Sequence, residues 1–154
     1  MVEKQLDEIA RTWILERSLT LAKTINSTTM DAIRSALAEG FSQGESIQKL
    51  SKRIEGYFET NAKYRAEMIS RTEVIAASNR GAVDRYEKEG FQQKEWFAAM
   101  DERTRETHAA ANGQIVGINE DFKVGGDSMP APGQGIDPSE NINCRCVCLP
   151  VIPD

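Results

Sequence analysis

Apolar side chains recur at three- and four-residue steps through the first ninety residues, which is the spacing of one face of an α-helix. Three of these stretches are defined by Leu6, Ile9, Ala10, Trp13 and Ile14, by Met30, Ile33, Leu37 and Phe41, and by Ile47, Leu50, Ile54, Tyr57 and Phe58. A fourth stretch opens at Asn61 and continues to about Gly90. The pattern therefore predicts four helices over residues 1–90.

Side chains that favour helix ends lie at the boundaries of these stretches. Ser46 can cap the third helix, because a side-chain oxygen there accepts a hydrogen bond from the first turn. Asp31 is expected in the first turn of the second helix, where a negative charge is favourable. Gly40 and Gly44 are expected to end that helix. Its possible caps are Ser27, Thr28 and Thr29.

One face of the fourth helix mixes apolar residues with two uncharged polar ones. The face consists of Ile69, Thr72, Ala76, Asn79, Val83 and Tyr86. Thr72 and Asn79 need hydrogen-bond partners if they are buried. The neighbouring Arg71 and Glu73 point to different sides of the helix, from which each can reach another segment. We favour a structural polar network over a catalytic role, since ion pairs that join helices look the same in sequence.

The periodic segments become short after Gly90. A strand is predicted over 94–98, and Asp101 is predicted to cap a short helix that ends at Asn112-Gly113. Thr104 and His108 would then share one solvated face of that helix with Asp101, since the three stand at offsets of zero, three and seven. Arg103 and Arg105 would lie off that face.

Further strands are predicted at 114–117, at 122–124 and in the last half of 141–150. A long loop is predicted over 125–138, where glycine and proline are dense. Together these elements predict an α+β fold in which a helical part, residues 1–90, precedes a small, loop-rich α+β part, residues 91–154. We expect one domain over residues 1–154.

The charge distribution argues against tight binding of DNA. The net charge is −5, and residues 101–154 hold nine acids and four bases. Residues 1–100 therefore have a net charge of zero. A protein that binds the phosphate backbone needs a basic face, which this chain lacks. The longest apolar runs are too short to span a bilayer, and the start lacks the order of a secretory signal, so we expect no membrane association and synthesis in the cytoplasm.

Three cysteines stand two residues apart near the end of the chain, where strand alternation places their side chains on one side. We expect free thiols rather than disulfides, because neighbours two apart on a strand have poor geometry for a bond. A zinc site is an alternative to buried free thiols, because cysteine and histidine are the ligands that zinc favours. Its ligands would be His108, Cys144 and Cys146, with Asp101 or Cys148 as the fourth. A cysteine–histidine nucleophile is less favoured, since no oxyanion hole is recognisable.

The chain resembles the phage head morphogenesis family typified by Mu protein F, the minor head proteins of tailed phages. The resemblance covers roughly residues 30 to 150. Its motifs are Ile69-Ser70-Arg71-Thr72-Glu73 followed by Asn79 and Gly81, then Trp96, then Asp101-Glu102-Arg103-Thr104-Arg105 with His108 and Gly113, and finally Pro132-Gly133 and Asn143-Cys144-Arg145-Cys146. Their order and spacing are more specific than any one of them. The additional Cys148 and the short N-terminal segment depart from the family's pattern.

The resemblance implies a non-enzymatic minor head protein that assists head morphogenesis at the portal or in the head interior, with a part in DNA packaging or delivery. The implied partners are portal and capsid proteins, with packaged DNA nearby, and the implied location is the virion head after assembly in the host cytoplasm. No cofactor is implied, and zinc stays an added hypothesis. The implied structural site consists of Arg71, Thr72, Glu73, Asn79, Trp96, Asp101, Arg103, Thr104, His108, Gly113, Asn143, Cys144, Arg145 and Cys146.

Two other classes of protein compete with this interpretation. One is a small interaction module stabilised by zinc, which would lose its fold with a chelator. The other is a phage-encoded effector or transferase, in which Arg71, Glu73, Asp101 and His108 would be a diverged active site. ADP-ribosyltransferases place such arginine and glutamate residues on strands, whereas Arg71 and Glu73 are predicted to share a helix.

Overall fold

In the residues that the structure describes, four helices come first, and short strands and helices follow. The computed structural model describes residues 2–16, 27–58 and 62–153. The helices in these ranges are α1 (Val2–Glu16), α2 (Ser27–Ser42), α3 (Ile47–Glu55), α4 (Ala62–Lys88), α5 (Glu106–Ala111) and α6 (Pro138–Asn141). The strands are β1 (Gln93–Phe97), β2 (Ile115–Gly117), β3 (Phe122–Val124), β4 (Asp127–Met129) and β5 (Val147–Pro150). The predicted α+β class is confirmed.

The apolar stripes of α1 to α4 meet in a cluster that we call the front core. Fully burying one aliphatic side chain of this kind contributes roughly 1.5–3 kcal/mol. Trp13 and Phe41 are partly buried against its edge. Its members are Ala10, Ile14, Ile33, Leu37, Ala38, Leu50, Ile54, Phe58, Ala66, Ile69 and Ala77.

The predicted helix ends are correct at Ser46 and Gly44. The Ser46 side chain accepts a hydrogen bond from the Lys49 backbone N–H at 3.3 Å, and Gly44 follows α2 in the left-handed region with φ +68°. Gly40 was expected to end α2, but the helix continues through it to Ser42. A Cβ at Gly40 would lie 2.4 Å from the Leu50 side chain, so this glycine permits close contact with α3.

The start of α2 differs from the prediction. The helix begins at Ser27, so Thr28 and Thr29 lie inside it and Asp31 falls beyond its first turn. Asp31 instead pairs with Arg34 one turn later, at 3.2 Å. Asn61, the predicted start of α4, lies outside the described residues.

Helix α4 is shared by the two halves of the molecule. It is 27 residues long and buries apolar residues in the front core. Its other side carries Ile75, Val83 and Tyr86, which pack against a second cluster. None of the helices in the described ranges is long and apolar enough to cross a membrane.

The second cluster, which we call the back core, lies between α4 and two small antiparallel sheets. Strand β1 is the centre of a three-stranded sheet in the order β2-β1-β5, and β3 pairs with β4. In the β1–β5 register, Trp96 stands opposite Cys148. The members of the back core are Trp96, Ala98, Ala111, Phe122, Val124, Met129, Cys144, Cys146 and Cys148.

Part of the predicted loop 125–138 is ordered secondary structure. Gly125 and Gly126 form a two-residue turn, with Gly125 at φ +60°, and β4 returns alongside β3. Adjacent glycines are typical of such hairpins. Helix α6 then begins at Pro138, behind an Asp137 cap. The loop prediction was therefore wrong over 127–129, where three residues are too few to show a strand period.

Helix α5 begins later than predicted. Its N-terminal cap position is Arg105, and Asp101 instead closes a separate turn, where its backbone carbonyl accepts from the Thr104 N–H at 3.0 Å. Its carboxylate also accepts from the Arg103 N–H at 2.9 Å. The predicted shared face of Asp101, Thr104 and His108 is therefore wrong: the first two lie on this turn, and His108 is 2% exposed.

Candidate functional site

The back core contains a cluster of one imidazole and two thiols. Helix α5 directs His108 inward, and the segment before β5 brings Cys144 and Cys146 to it. The His108 Nδ1 atom lies 3.3 Å from the Cys146 Sγ and 3.8 Å from the Cys144 Sγ. All three ligand atoms lie within 4.8 Å of one another, and all three residues are buried. We call these residues the His–Cys–Cys cluster.

A buried carboxylate holds the far side of the imidazole. The His108 Nε2 atom lies 3.0 Å from an Oε2 atom of Glu140, which α6 places there. The Thr107 hydroxyl donates to the same oxygen at 2.9 Å. The approach of His108 to Glu140 is a close ion-pair contact without hydrogen-bond alignment at Nε2. A proton on Nε2 would leave the Nδ1 lone pair to the sulfurs.

Aromatic packing fixes the plane of the same ring. Trp96 is fully buried and meets His108 edge to face, with ring centroids 5.5 Å apart. The indole makes a second edge contact with Phe122 at 5.4 Å. The imidazole is therefore held by a carboxylate at its edge and an indole at its side.

Helix α4 holds the cysteine segment through the two polar residues that were expected to be buried. The Asn79 amide donates to the carbonyls of Cys146 at 3.0 Å and Pro132 at 3.2 Å, and its oxygen accepts from the Cys148 N–H at 3.0 Å. The Thr72 hydroxyl accepts from the Asn143 N–H at 3.0 Å. These hydrogen bonds give buried backbone groups a partner on α4 in place of a partner on a neighbouring strand. A polar network on this face is thus present.

Arg71 and Glu73 do not form an exposed pair on this helix. Arg71 reaches the Asn143 side chain at 3.4 Å and pairs with Glu67 at 2.8 Å. Glu73 is 1% exposed. Asn143 itself adopts φ +56°, a conformation that asparagine tolerates better than most residues.

Two glycines of the resemblance motifs have identifiable backbone roles. Gly113 has φ +80°, and its N–H donates to the Trp96 carbonyl at 2.8 Å. Gly133 has φ +85°, and a Cβ there would lie 3.0 Å from the Cβ of Ala76 on α4. Any larger residue at Gly133 would therefore be strained and crowded.

Asp101 and Arg145 form an ion pair outside the cluster. The two terminal guanidinium nitrogens of Arg145 donate to the two carboxylate oxygens of Asp101, one to each. The Arg145 hydrogen bonds, helped by the Arg103 N–H, hold the pKa of Asp101 well below its usual value. Arg105 donates to the Ile142 carbonyl, so it is also tied to the cysteine segment.

The three thiols differ in electrostatic environment. The Cys144 thiol and the His108 ring lower the pKa of Cys146, and Cys144 correspondingly keeps its proton, with a raised pKa. Burial alone raises the pKa of Cys148 to about 11. Cys146 is therefore the thiol that ionises first.

The structure brings together His108, Cys144 and Cys146, as the zinc hypothesis requires. It does not bring in either proposed fourth ligand: the Asp101 carboxylate is held by Arg145, and Cys148 is not part of the group of atoms within 4.8 Å. That the motif residues together carry the function stays a prediction.

Sequence reasoning missed two buried charged residues. Glu140 had no signal beyond its position shortly before the cysteines. Lys94 has 1% exposure, and its Nζ donates to the Pro130 carbonyl at 2.7 Å. Burial lowers the pKa of Lys94. Lys94 was predicted only as the first residue of the strand over 94–98.

The fold and the cluster define a small α+β domain that is closed by its last strand around buried cysteine and histidine. Residues 31–149 match the family described as Phage Mu protein F like protein, and the chain belongs to that family. The family resemblance inferred from the motifs is confirmed. No solved structure matches the chain.

Relatives of this chain carry different names. The minor head protein GP7 of Bacillus phage SPP1 is 30% identical over 141 residues, which are 87% of this chain and 46% of GP7. The protein YqbB of Bacillus subtilis is 27% identical over 146 residues, 91% of this chain and 48% of YqbB.

A further relative is the NAD(+)–arginine ADP-ribosyltransferase EFV of Enterococcus faecalis. It is 31% identical over 118 residues, 73% of this chain and 24% of EFV. The chain thus spans about half the length, or less, of these curated relatives. Their whole activities are not carried over by the match.

Proposed function

We propose that this chain is the Mu protein F-like domain of a minor head protein of a tailed phage or prophage. In this role it assists head morphogenesis at the portal or in the head interior and takes part in DNA packaging or delivery. The observation that carries the proposal is the 30% identity with a minor head protein over 87% of the chain. The partners would be portal and capsid proteins of the same phage.

The charge of the molecule supports a location beside DNA without tight binding to the DNA. Residues 101–154, which include strands β2 to β5 and the His–Cys–Cys cluster, carry a net charge of −5. Two of the bases near the cluster are already engaged, since Arg145 pairs with Asp101 and Arg105 binds the Ile142 carbonyl. Contacts with protein partners are favoured over contacts with phosphates.

A non-enzymatic role is favoured over transferase activity. The match to EFV covers only 24% of that protein. Most of the sequence of the named transferase therefore has no counterpart in this chain. Arg71 and Glu73, the residues proposed for an active site, share α4, and Arg71 is occupied by Glu67 and Asn143. His108 is enclosed by Trp96 and Glu140 rather than open to a substrate.

Quantitative mass spectrometry of purified particles tests the proposal. Empty procapsids, full virions and the soluble lysate of the phage or induced prophage would be compared. We expect a small, fixed number of copies per particle in both procapsids and virions. Absence from every particle would overturn the proposed location.

Complementation with matched variants sharpens the test. The gene would be deleted and supplied with either Asn79→Ala or Ser78→Ala, which are adjacent on α4 but differ in burial: Asn79 is buried and Ser78 is exposed. We expect the first to reduce incorporation into particles and the second to restore it. Equal incorporation by a destabilised Asn79→Ala protein would show that the back core is not needed for assembly. Incubation with NAD⁺ and an arginine substrate is expected to give no product, and turnover would favour the transferase alternative.

A further inference from the structure

The distances within the His–Cys–Cys cluster fit a tetrahedral metal site. With zinc–sulfur bonds of about 2.3 Å and zinc–nitrogen bonds of about 2.0 Å, the ligand atoms of such a site lie roughly 3.5–3.8 Å apart. The two Nδ1–Sγ distances are 3.3 and 3.8 Å. Small shifts of buried side chains would therefore complete the coordination.

A hydrogen bond to Nδ1 accounts for only one of the two sulfurs at the imidazole, and without a metal the second is held by the Cys144–Cys146 hydrogen bond. Neutral histidine with its proton on Nε2 has a single lone pair, on Nδ1, which accepts from one thiol. Both Cys144 and Cys146 nevertheless approach that atom. A cation between the three atoms would engage both sulfurs together, because a thiolate and a neutral imidazole are both ligands of zinc.

Glu140 supplies a second, independent observation. Histidines that bind a metal usually donate their other ring N–H to a carboxylate, which orients the ring and raises its basicity. The Glu140 carboxylate lies 3.0 Å from Nε2 and is itself held by Thr107, so a rotation of the ring that aligns Nε2–H with it would complete this arrangement. Residues on α5 and α6 thus present Nδ1 to the cysteines.

We propose that His108, Cys144 and Cys146 bind one zinc ion, with Glu140 as the positioning residue for His108 and a water molecule as the fourth ligand. A cavity of about 10 Å³ adjoins His108 and Cys146 and is lined by Ala99, Thr104 and Asn143, among others. This volume is close to what one water molecule needs. Asp101 cannot take the position while Arg145 holds both of its oxygens.

The ion would join two segments that are far apart in sequence. His108 lies on α5, and the cysteines lie in the segment leading to β5. Helix α4 already holds the opposite side of that segment through Asn79 and Thr72. The metal would thus be structural, fixing the last strand between α4 and α5. The inference does not depend on the proposed place in a phage head.

Metal analysis of the purified 154-residue chain tests the site directly. Protein produced with added zinc and purified without chelator is expected to retain about one zinc ion per chain. Replacement by cobalt(II) is expected to give the intense visible absorption of a tetrahedral site and a near-ultraviolet band from thiolate ligands. Zinc near zero together with a cobalt spectrum lacking both features would overturn the proposal and leave a hydrogen-bonded thiol pair.

Variants separate the proposed ligands from their neighbours. Cys146→Ser and Cys144→Ser are expected to lose the metal, whereas Cys148→Ser, equally buried but outside the cluster, is expected to keep it. Asp101→Asn is also expected to keep it. Loss of the metal from folded Cys148→Ser or Asp101→Asn would overturn the assigned ligand set.

The role of Glu140 has its own readout. Glu140→Gln keeps the size of the side chain and is expected to weaken zinc binding by about 10- to 100-fold in competition with a chelating dye. The cobalt bands should remain, because the ligands are unchanged. An unaltered affinity would overturn the positioning role. This measurement and the wild-type cobalt spectrum remain decisive where a cysteine variant fails to fold.

Discussion

The front and back cores are stabilised in different ways. The front core is built mainly from aliphatic and small side chains on four helices, with Phe58 just after α3, and the burial of such side chains does not depend on direction. The back core contains three cysteines and Trp96, and Asn79 and Thr72 bond backbone groups that lie 53 to 71 residues away. The front core should therefore tolerate swaps of similar volume, whereas the back core depends on particular atoms.

The largest loss of stability is expected in the front core. Leu37 is fully buried there, so Leu37→Ala should lower the free energy of unfolding by about 3–5 kcal/mol through lost burial and a residual cavity. Ser35→Ala, on the exposed side of α2, is the control and should change little. Chemical denaturation measures both.

The chain's two tryptophans report on the two cores separately. Trp13 packs at the front core and Trp96 lies in the back core. Replacing one tryptophan by phenylalanine leaves the fluorescence of the other as the reporter. Because α4 belongs to both cores, adding Leu37→Ala to either the Trp13→Phe or the Trp96→Phe protein should shift a single unfolding transition in the same direction. If only the Trp13 signal moved, the cores would unfold independently.

A somewhat smaller effect is expected at Asn79. Asn79→Ala leaves the Cys148 N–H and two carbonyls without their partner, and each unsatisfied buried group costs about 1–3 kcal/mol. We expect a total of about 2–4 kcal/mol, since water can enter the space left by the amide. Ser78→Ala should cost little. A loss at Asn79 no greater than at Ser78 would contradict the directional account of the back core.

Thr72→Val should cost less. The valine keeps the shape of the side chain but removes the oxygen that accepts from the Asn143 N–H, so a loss of about 1–2 kcal/mol is expected. Thr72→Ser retains the hydroxyl and should recover much of that loss. Thermal unfolding of the three proteins decides whether the hydrogen bond or the packing matters.

The smallest effect, and the one that depends on pH, is expected at Asp101. Because Arg145 lowers the pKa of Asp101 in the folded protein, the pair stabilises the fold above the unfolded pKa of about 3.9 and this contribution is lost as pH falls further. Asp101→Asn should slightly lower the melting temperature at pH 7, with a smaller difference below about pH 4. Added salt should also reduce the difference, since the pair is exposed. A difference that does not change with pH or salt would rule out the ion pair as its cause.

The helical part was largely predictable because its elements are long. A stripe such as Ile33, Leu37 and Phe41 repeats often enough to identify a helix, and Ser46 marks a helix start by chemistry that acts within one turn. Thr72 and Asn79 were recognised because polar residues interrupted such a stripe. The single-domain boundaries and the division at residue 90 stay predictions.

The second part was less predictable because its order comes from distant contacts. Strand β4 is too short to show a period, and the start of α5 depends on a turn that Asp101 forms with Thr104. Cysteine and histidine are both zinc ligands, so their chemistry alone was enough to predict that they share a site. The role of Glu140 could not be predicted, because nothing in the local sequence indicates that α6 returns to α5.

The position of β5 in the sheet has a consequence for synthesis of the protein. Strand β1 is the central strand, yet its neighbour β5 lies about fifty residues later in the sequence and leaves the ribosome well after it. Until residues 144–150 have been translated, the nascent chain exposes Trp96 and one unpaired edge of β1. A chain that terminates early would carry a folded helical half and an open, aggregation-prone edge. Only a chain translated through β5 can bury both.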